Sequence, residues 1–309
     1  MKGDKNRILV PCFMTLLLFA CAEEPKQSKK EEESVPVAMN GTCPPHILNT
    51  KENNLNISVL LDLSDRIEMD DQVQKDLAYL SSLAKAFLTH VKGKKLLFLE
   101  DRLQLYFNPE PSGKINEIAE KLSIAFNKDT NKDYLNEAQN LYDQLPSELY
   151  DSAKADAQDR GGYPGSDIWR FFEHDVKDYC MDDCHRNILV ILTDGYMFYY
   201  KTQMVKGSRT SYLTPKSLDG LKLDGSDWRD KMAEKDFGFI PATNGLQDLE
   251  VLVIGINGEN GGAYSQDIVE SFWIQWLQEM GVDENKIKIK NADIPKNIEK
   301  VIFDFILNK

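Results

Sequence analysis

The sequence predicts an α/β domain built on a doubly wound, mostly parallel sheet with helices on both faces. Three short apolar runs indicate its central strands, at residues 57–61, 188–192 and 251–256. These runs are rich in β-branched residues and do not alternate with polar ones, which is typical of parallel strands buried on both faces. Amphipathic segments of helical periodicity lie between them, and strands that alternate with helices indicate the doubly wound class.

The remaining elements are predicted from the same patterns. Residues 95–99 and 103–107 predict the strands of a hairpin, so one of them should run antiparallel at or near an edge of the sheet. Residues 287–289 predict a short last strand. Helices are predicted, in chain order, at residues 73–90, 115–126, 134–145, 167–179, 268–280 and 294–307.

The N-terminus predicts export and lipid anchoring. A positively charged start precedes an apolar run that is too short to span a bilayer, which is typical of a signal peptide over residues 1–20. The run ends in Leu18-Phe19-Ala20-Cys21, which resembles the lipobox of bacterial lipoproteins. This resemblance implies that Cys21 is lipidated and anchors the chain to a membrane. The alternative is an ordinary secretory signal followed by an incidental cysteine.

Residues 21–54 are predicted to be a flexible, acidic tether that leads to a domain at residues 55–309. The tether has few large apolar residues, so it cannot bury enough surface to offset the entropy of ordering. Its acidic residues after Cys21 resemble the surface-export signals of Bacteroidetes lipoproteins. This resemblance implies a location in the cell envelope, at the outer membrane, with the domain facing the periplasm or the cell exterior.

Three cysteines follow the predicted lipidation site: Cys43, Cys180 and Cys184. An exported protein resides where disulfides are permitted, so we expect one disulfide among them, with its pairing left open. The spacing of Cys180 and Cys184 does not by itself match a zinc site. A redox role is the weaker interpretation.

The charge of the chain argues against nucleic-acid binding. The formal net charge is −13, and the sequence contains no basic patch interleaved with aromatic residues. We therefore expect no nucleic-acid partner.

Polar side chains follow the central strands of the predicted sheet. Asp62 and Ser64 come directly after the first apolar run, and Asp194 follows the run at 188–192. Ser166 opens a helix between them. Ligands of doubly wound sheets bind beyond the carboxyl ends of the strands, where these residues should meet. Their oxygens are ligands that Mg²⁺ or Mn²⁺ prefers, whereas helix caps and turn contacts are the structural alternative.

This constellation resembles the von Willebrand factor type A (vWA) domain and its metal-ion-dependent adhesion site. That family has Asp-x-Ser-x-Ser after the first strand, a later loop hydroxyl, and an Asp after the fourth strand. Asp62, Ser64, Ser166 and Asp194 match these positions, and the resemblance covers roughly residues 56–307. It implies a divalent metal at these four residues that bridges to a protein partner.

Arg66 stands where the family has the last Ser of its first motif. An arginine cannot ligate a metal and is always cationic. If Arg66 points inward, it takes the place of the ion or weakens its binding through Coulomb repulsion. If it points outward, the metal site persists.

A long insertion at about residues 196–246 begins at the same edge of the sheet. Long loops inside compact domains are usually functional or disordered, and aromatic content argues against disorder. The insertion is therefore either a partner-binding surface or an embellishment that covers the sheet edge. The candidate partner-binding residues are Tyr196, Phe198, Tyr199 and Tyr200.

These observations leave two classes of function. The first is a non-catalytic, membrane-anchored vWA-like module that binds a protein whose identity the sequence does not give. The second is a metal-dependent hydrolase with Asp62 as nucleophile or ligand. The sequence contains no Asp-x-Asp pair, nucleophile elbow or phosphate loop, which favours the binding module.

Overall fold

The computed structural model describes Cys43, Ile47 and residues 50–308, apart from residues 132 and 259–261. The predicted signal peptide at 1–20 and the predicted lipidation site Cys21 lie outside the described residues. Within the described part of the chain, no helix is both long enough and apolar enough to cross a membrane.

The fold is α/β, and its main sheet has six strands of which only one is antiparallel. A smaller three-stranded sheet lies within the insertion. The strands are β1 (Leu55–Leu61), β2 (Glu100–Tyr106), β3 (Ile124–Asn127), β4 (Arg186–Leu192), β5 (Val205–Lys206), β6 (Arg209–Thr210), β7 (Gly238–Phe239), β8 (Leu249–Ile256) and β9 (Ile287–Asn291). The order in the main sheet is β3-β2-β1-β4-β8-β9, with β3 antiparallel at one edge.

Helices surround the sheet and cover two separate hydrophobic clusters. Successive residues of the central strands enter different clusters: Val59 of β1 packs in one and Leu60 in the other. This alternation follows from strand geometry, and it explains why β1 and β4 are apolar at nearly every position. The helices are α1 (Gln72–Lys92), α2 (Gly113–Leu122), α3 (Tyr134–Arg160), α4 (Ile168–His174), α5 (Val176–Cys180), α6 (Pro215–Gly220), α7 (Trp228–Glu234), α8 (Ser265–Glu279) and α9 (Pro295–Leu307).

The predicted hairpin at 95–99 and 103–107 is wrong. Residues 96–98 form a turn of 3-10 helix whose Leu97 and Phe98 side chains are exposed, and of this run Leu99 is a buried member of the core. β2 instead pairs in parallel with β1. The antiparallel edge strand is β3, which follows α2 and which the sequence pattern had merged with that helix.

Two helical predictions also differ from the structure. The helix predicted at 134–145 continues to Arg160, although Pro146 lies inside it. The helix predicted at 167–179 is divided into α4 and α5 at Asp175. Residues 51–53, which the sequence assigned to the tether, form a turn of 3-10 helix directly before β1.

The parallel strands give the sheet two distinct edges. At the edge where these strands begin, the amino edge, the side chains and backbone of successive loops are bonded to one another. Lys94 of the loop before β2 donates to the Asn53 carbonyl at 2.5 Å, and Cys43 forms a disulfide with Cys184 of the loop before β4. The disulfide confirms the expectation of one cystine, and Cys180 is a buried free thiol. The opposite edge, the carboxyl edge, carries the predicted site.

Candidate functional site

A cavity of about 280 Å³ opens at the carboxyl edge of the sheet, and we call it the edge cavity. Three of the four predicted oxygen ligands line it: Ser64 after β1, Ser166 before α4 and Asp194 after β4. They meet because β1 and β4 are adjacent and parallel, so the loops that follow them emerge side by side. The other lining residues are Asp65, Gly165, Tyr196, Phe198, Leu213, Thr214 and Pro215.

Asp62, the fourth predicted ligand, lies behind the cavity rather than on its wall. Its side chain is fully buried. One carboxylate oxygen accepts the Ser64 N–H at 3.0 Å, and the other accepts the Thr193 hydroxyl at 2.8 Å. Asp62 therefore orients both loops that form the cavity, which matches the structural alternative for this residue.

Thr193 connects the two loops and was not recognised as a site residue from the sequence. Its hydroxyl donates to Asp62 and accepts the Gly195 N–H at 3.1 Å. Gly195 has a φ of +94°, and a Cβ atom there would lie 2.6 Å from both Ile256 Cδ1 and Val269 Cγ1. The Thr-Asp-Gly sequence after a buried strand was the signal for this turn, since only glycine fits it.

Arg66 points inward, which settles the direction that the sequence left open. Its guanidinium donates to Asp76 through Nη1 at 2.7 Å and Nη2 at 3.2 Å, and its side chain is 1% exposed. Nε lies 4.0 Å from an Asp62 oxygen and makes no hydrogen bond within the described part of the chain. Burial alone would lower the pKa of Arg66, but the Asp76 and Asp62 carboxylates outweigh it and raise that pKa, so the residue is charged at all relevant pH values.

Asp76 of α1 is the centre of the buried polar group beneath the cavity. Besides Arg66, it accepts hydrogen bonds from Gln72 Nε2 and from the Tyr150 hydroxyl, each at 2.8 Å. Burial raises the pKa of Asp76, while the guanidinium and these donors lower it in part. The sequence offered one signal: Asp76 interrupts the apolar stripe of α1 formed by residues 73, 77 and 80. Tyr150 lies beyond Pro146, where the predicted helix had ended.

Ser166 places a buried hydroxyl at the cavity. Its backbone N–H donates to the Phe198 carbonyl at 2.9 Å, which fixes the loop to the insertion. Among the described residues, its Oγ atom has no hydrogen-bond partner. A buried polar group without a partner costs free energy, so a ligand that bonded to this atom would recover that cost.

The neighbouring residues hold Ser166 in place. Gly165 has a φ of +90°, and a Cβ atom there would lie 2.2 Å from the Phe198 carbonyl oxygen. Asp167 caps α4 by accepting the Arg170 N–H at 3.3 Å and also accepts the Thr202 hydroxyl at 2.6 Å. Burial raises the pKa of Asp167, although these hydrogen bonds lower it in part.

The predicted aromatic residues of the insertion divide between the interior and the surface. Tyr196 is buried and Phe198 is 40% exposed, and both line the cavity. Tyr200 is 63% exposed and packs against Tyr199 with 5.0 Å between ring centroids. The aromatic cluster therefore extends from the cavity to the outer surface of the insertion.

The donor set fits a tight divalent-metal site poorly. Within the described ranges, no three His, Cys, Asp or Glu side chains come together in a way that could hold a metal ion. Only Ser64, Ser166 and Asp194 among the predicted ligands face the cavity, and the Arg66 charge lies directly beside Asp62. A Mg²⁺ or Mn²⁺ ion here would meet that charge repulsion with only the Asp65 and Asp194 carboxylates to balance its double charge, whereas a singly charged group needs less compensation.

Comparison with known proteins does not identify a family for this chain. No model of a known protein family matches it, and no curated protein is significantly similar in sequence. Two solved structures show weak similarity: proximal thread matrix protein 1 from the mussel byssus (13% identity, TM-score 0.35) and the pilus adhesin SpaC from Lactobacillus rhamnosus GG (11% identity, TM-score 0.40). The similarity covers 82% of this chain in each case, but only 48% and 30% of those two chains.

Proposed function

We propose that this protein is a lipid-anchored, vWA-like binding module of the cell envelope. In this proposal Cys21 carries the lipid, at the outer membrane, and the domain faces the periplasm or the cell exterior. The sheet belongs to the doubly wound class, which the order β3-β2-β1-β4-β8-β9 and the two helix-covered hydrophobic clusters support. The module acts without catalysis, by binding a protein partner at the edge cavity.

The observation that carries this proposal is the Ser166 hydroxyl, which has no hydrogen-bond partner among the described residues and lies at a cavity walled by acceptors and aromatic rings. Asp65 and Asp194 contribute carboxylates, Ser64 and Thr214 contribute hydroxyls, and none of the ten described lining residues is basic. Such a cavity favours a positively charged donor, and its aromatic wall suits the stem of a long side chain. The partner group is therefore a lysine or arginine side chain.

With this arrangement of charges, binding of the partner does not require a divalent ion. In the vWA-like site a metal would balance Asp62 and bridge to the partner. Here the Arg66 guanidinium already lies 4.0 Å from Asp62, and the partner's own cation supplies the remaining positive charge. A direct ion pair with Asp194 replaces the metal bridge.

The alternative function, a metal-dependent hydrolase with Asp62 as nucleophile, is not favoured by the geometry. Both Asp62 oxygens accept hydrogen bonds, and the side chain is buried behind the cavity wall. A nucleophile must reach the substrate atom that it attacks. A turnover of ester or phosphoester substrates that disappears in Asp62→Ala would contradict the non-catalytic proposal.

Site-specific photocrosslinking in living cells tests the proposed binding surface. A photoreactive amino acid at Tyr200, which is 63% exposed and two residues from the cavity-lining Phe198, should give a discrete protein adduct. The matched control is Leu97, which is 77% exposed at the amino edge and should not give that adduct. Ser166→Phe fills the cavity and should abolish the Tyr200 adduct. An adduct that persists in Ser166→Phe would place the partner elsewhere.

The anchor is tested separately by fractionation. Cys21→Ser removes the thiol that receives the lipid, so the protein should leave the membrane fraction. Retention of Cys21→Ser in that fraction would overturn the lipoprotein proposal without bearing on the cavity.

A further inference from the structure

We propose that Leu97 and Phe98 form a membrane-contacting tip at the amino edge, which rests on the proposed lipidation of Cys21. Leu97 is 77% exposed and Phe98 is 63% exposed, and they are adjacent in sequence. Large apolar side chains at such exposure are costly in water, and a contiguous pair of them usually marks a contact surface.

The tip is fastened to the point where the chain enters the domain. The Lys94 ammonium donates to the Asn53 carbonyl at 2.5 Å, to Asn54 Oδ1 at 3.1 Å and to Asp101 Oδ2 at 2.6 Å. The His90 ring also bonds to the Asn53 carbonyl at 2.9 Å. The segment that leads from the predicted anchor and the loop that bears the tip are therefore held together.

A disulfide makes a second connection between the entering chain and the amino edge. Cys43 is bonded to Cys184 in the loop before β4, so the chain from the anchor reaches the domain at the amino edge. Cys21 precedes Cys43 by 22 positions, and even fully extended such a segment reaches only about 75 Å. A lipid on Cys21 thus confines the amino edge to within about that distance of the bilayer, so a weak contact becomes effective because it is intramolecular.

The charges beside the tip favour a bilayer surface as its occupant. Lys92 and Lys95 are exposed next to it, in a chain whose formal net charge is −13. Apolar side chains flanked by lysines are typical of segments that enter the headgroup region. Glu100 is exposed nearby, so the contact depends on the apolar pair more than on anionic lipid.

The carboxyl edge cannot contact the bilayer while the tip does. β1 has seven residues, which span about 23 Å, and the edge cavity lies beyond its far end. With the tip on the bilayer, the cavity and the exposed aromatic rings of the insertion face away from the membrane. The tip therefore orients the proposed binding site toward a partner.

An environment-sensitive fluorophore tests this orientation. Leu97→Cys at the amino edge and Tyr200→Cys, two residues from the cavity-lining Phe198, are 77% and 63% exposed, and each is labelled with a nitrobenzoxadiazole dye in the full lipidated protein. Cys180 is buried and reacts slowly. The proteins are reconstituted in vesicles of phosphatidylethanolamine and phosphatidylglycerol. The dye at position 97 should shift to shorter wavelength and become protected from aqueous quenchers several-fold, and the dye at position 200 should remain fully solvated.

Equal solvation of both dyes in membrane-bound protein would overturn the membrane contact and leave the anchor intact. A blue shift at both positions would also overturn it, because the orientation would not be specific. Failure of the labelled proteins to stay with the vesicles would overturn the anchor, and the contact with it. Adding Phe98→Gln to Leu97→Cys should reduce the shift without releasing the protein.

Discussion

The hydrogen bonding of buried polar groups differs between the two edges of the sheet. At the amino edge, the buried Asp101 carboxylate accepts from the Leu55 N–H at 2.8 Å and pairs with Lys94 and His90. At the carboxyl edge, the Ser166 hydroxyl is buried and has no partner among the described residues. The amino edge uses its polar groups to hold the domain together. The carboxyl edge leaves one of them available for a ligand, at a cost in stability.

The pKa shifts of the carboxyl groups follow the same division. Burial alone would raise the pKa of Asp101, but hydrogen bonds from His90, Leu55 and Lys94 outweigh it and lower that pKa. The pKa of Asp182 is also lowered in spite of burial, by a hydrogen bond from His185 and by the nearby charge of Arg102. Toward the carboxyl edge, burial prevails and raises the pKa of Asp76 and Asp167. The surroundings therefore favour the charged form of Asp101 and Asp182 at the amino edge and disfavour that of Asp76 and Asp167 toward the carboxyl edge.

The largest effect should come from breaking the buried pair beneath the cavity. Asp76→Ala leaves the Arg66 guanidinium buried without a counter-charge, so we expect a loss of about 4 kcal/mol in the free energy of unfolding. Arg66→Met combined with Asp76→Leu removes both charges and should lose less. Denaturant titration of both variants measures this. If the double variant lost more than Asp76→Ala, the pair itself would be a net source of stability.

Lowering the pH should change the stability contributions of the carboxyl groups at the two edges in opposite directions, with a moderate effect on the free energy of unfolding. A lowered pKa means that the bonds of Asp101 stabilise the fold above about pH 4, the value for the unfolded chain, and are lost as pH falls through the lower folded value. The raised pKa of Asp167 has the opposite sign, since its ionisation costs stability as pH rises. We expect Asp101→Asn to lose about 2 kcal/mol at pH 7 and to show a flatter stability profile below pH 4.

The control for the acid profile is Asp129→Asn. Asp129 is exposed at the start of the loop after β3, so this variant should keep the profile of the native protein. A profile of Asp101→Asn that matched the native one would mean that other carboxyl groups dominate acid sensitivity, and the proposed difference between the edges would fail.

The smallest effect on stability should come from Ser166→Ala. In the part of the chain that the structure describes, the hydroxyl has no hydrogen-bond partner to lose, so the free energy of unfolding should change by less than about 0.5 kcal/mol or rise. Ser211→Ala is the matched control, because its hydroxyl donates to the Thr202 carbonyl and accepts the Met204 N–H, each at 2.8 Å. That variant should lose about 1–2 kcal/mol. A larger loss in Ser166→Ala than in Ser211→Ala would show that Ser166 is structural.

The sequence predicted the regular parts of the fold because burial on both faces leaves a strong pattern. β1, β4 and β8 are apolar at nearly every position, so their existence and order could be inferred. Residues 96–98 are equally apolar in sequence, but the Leu97 and Phe98 side chains are exposed, so composition alone predicted a strand there. The short edge strand β3 could not be separated from α2, since it adds only four residues after Leu122.

The candidate site was predictable where it depends on strand ends and unpredictable where it depends on distant helices. Ser64, Ser166 and Asp194 line one cavity because adjacent parallel strands place their following loops together. The direction of Arg66 is set by Asp76 on α1 and, through it, by Tyr150 on α3. No local pattern around Arg66 contains that information.

The most direct test of the account measures whether recognition at the edge cavity depends on charge or on a metal. The Tyr200 photocrosslink is compared with and without a chelator of Mg²⁺ and Mn²⁺, in the native protein and in Asp194→Asn. Asparagine keeps the oxygen that accepts the Tyr196 N–H at 2.9 Å but removes the charge. We predict that the chelator leaves the adduct unchanged and that Asp194→Asn reduces it at least about tenfold, the equivalent of one buried ion pair of about 1.4 kcal/mol or more. An adduct that disappears with the chelator, or that persists in Asp194→Asn, would contradict the account.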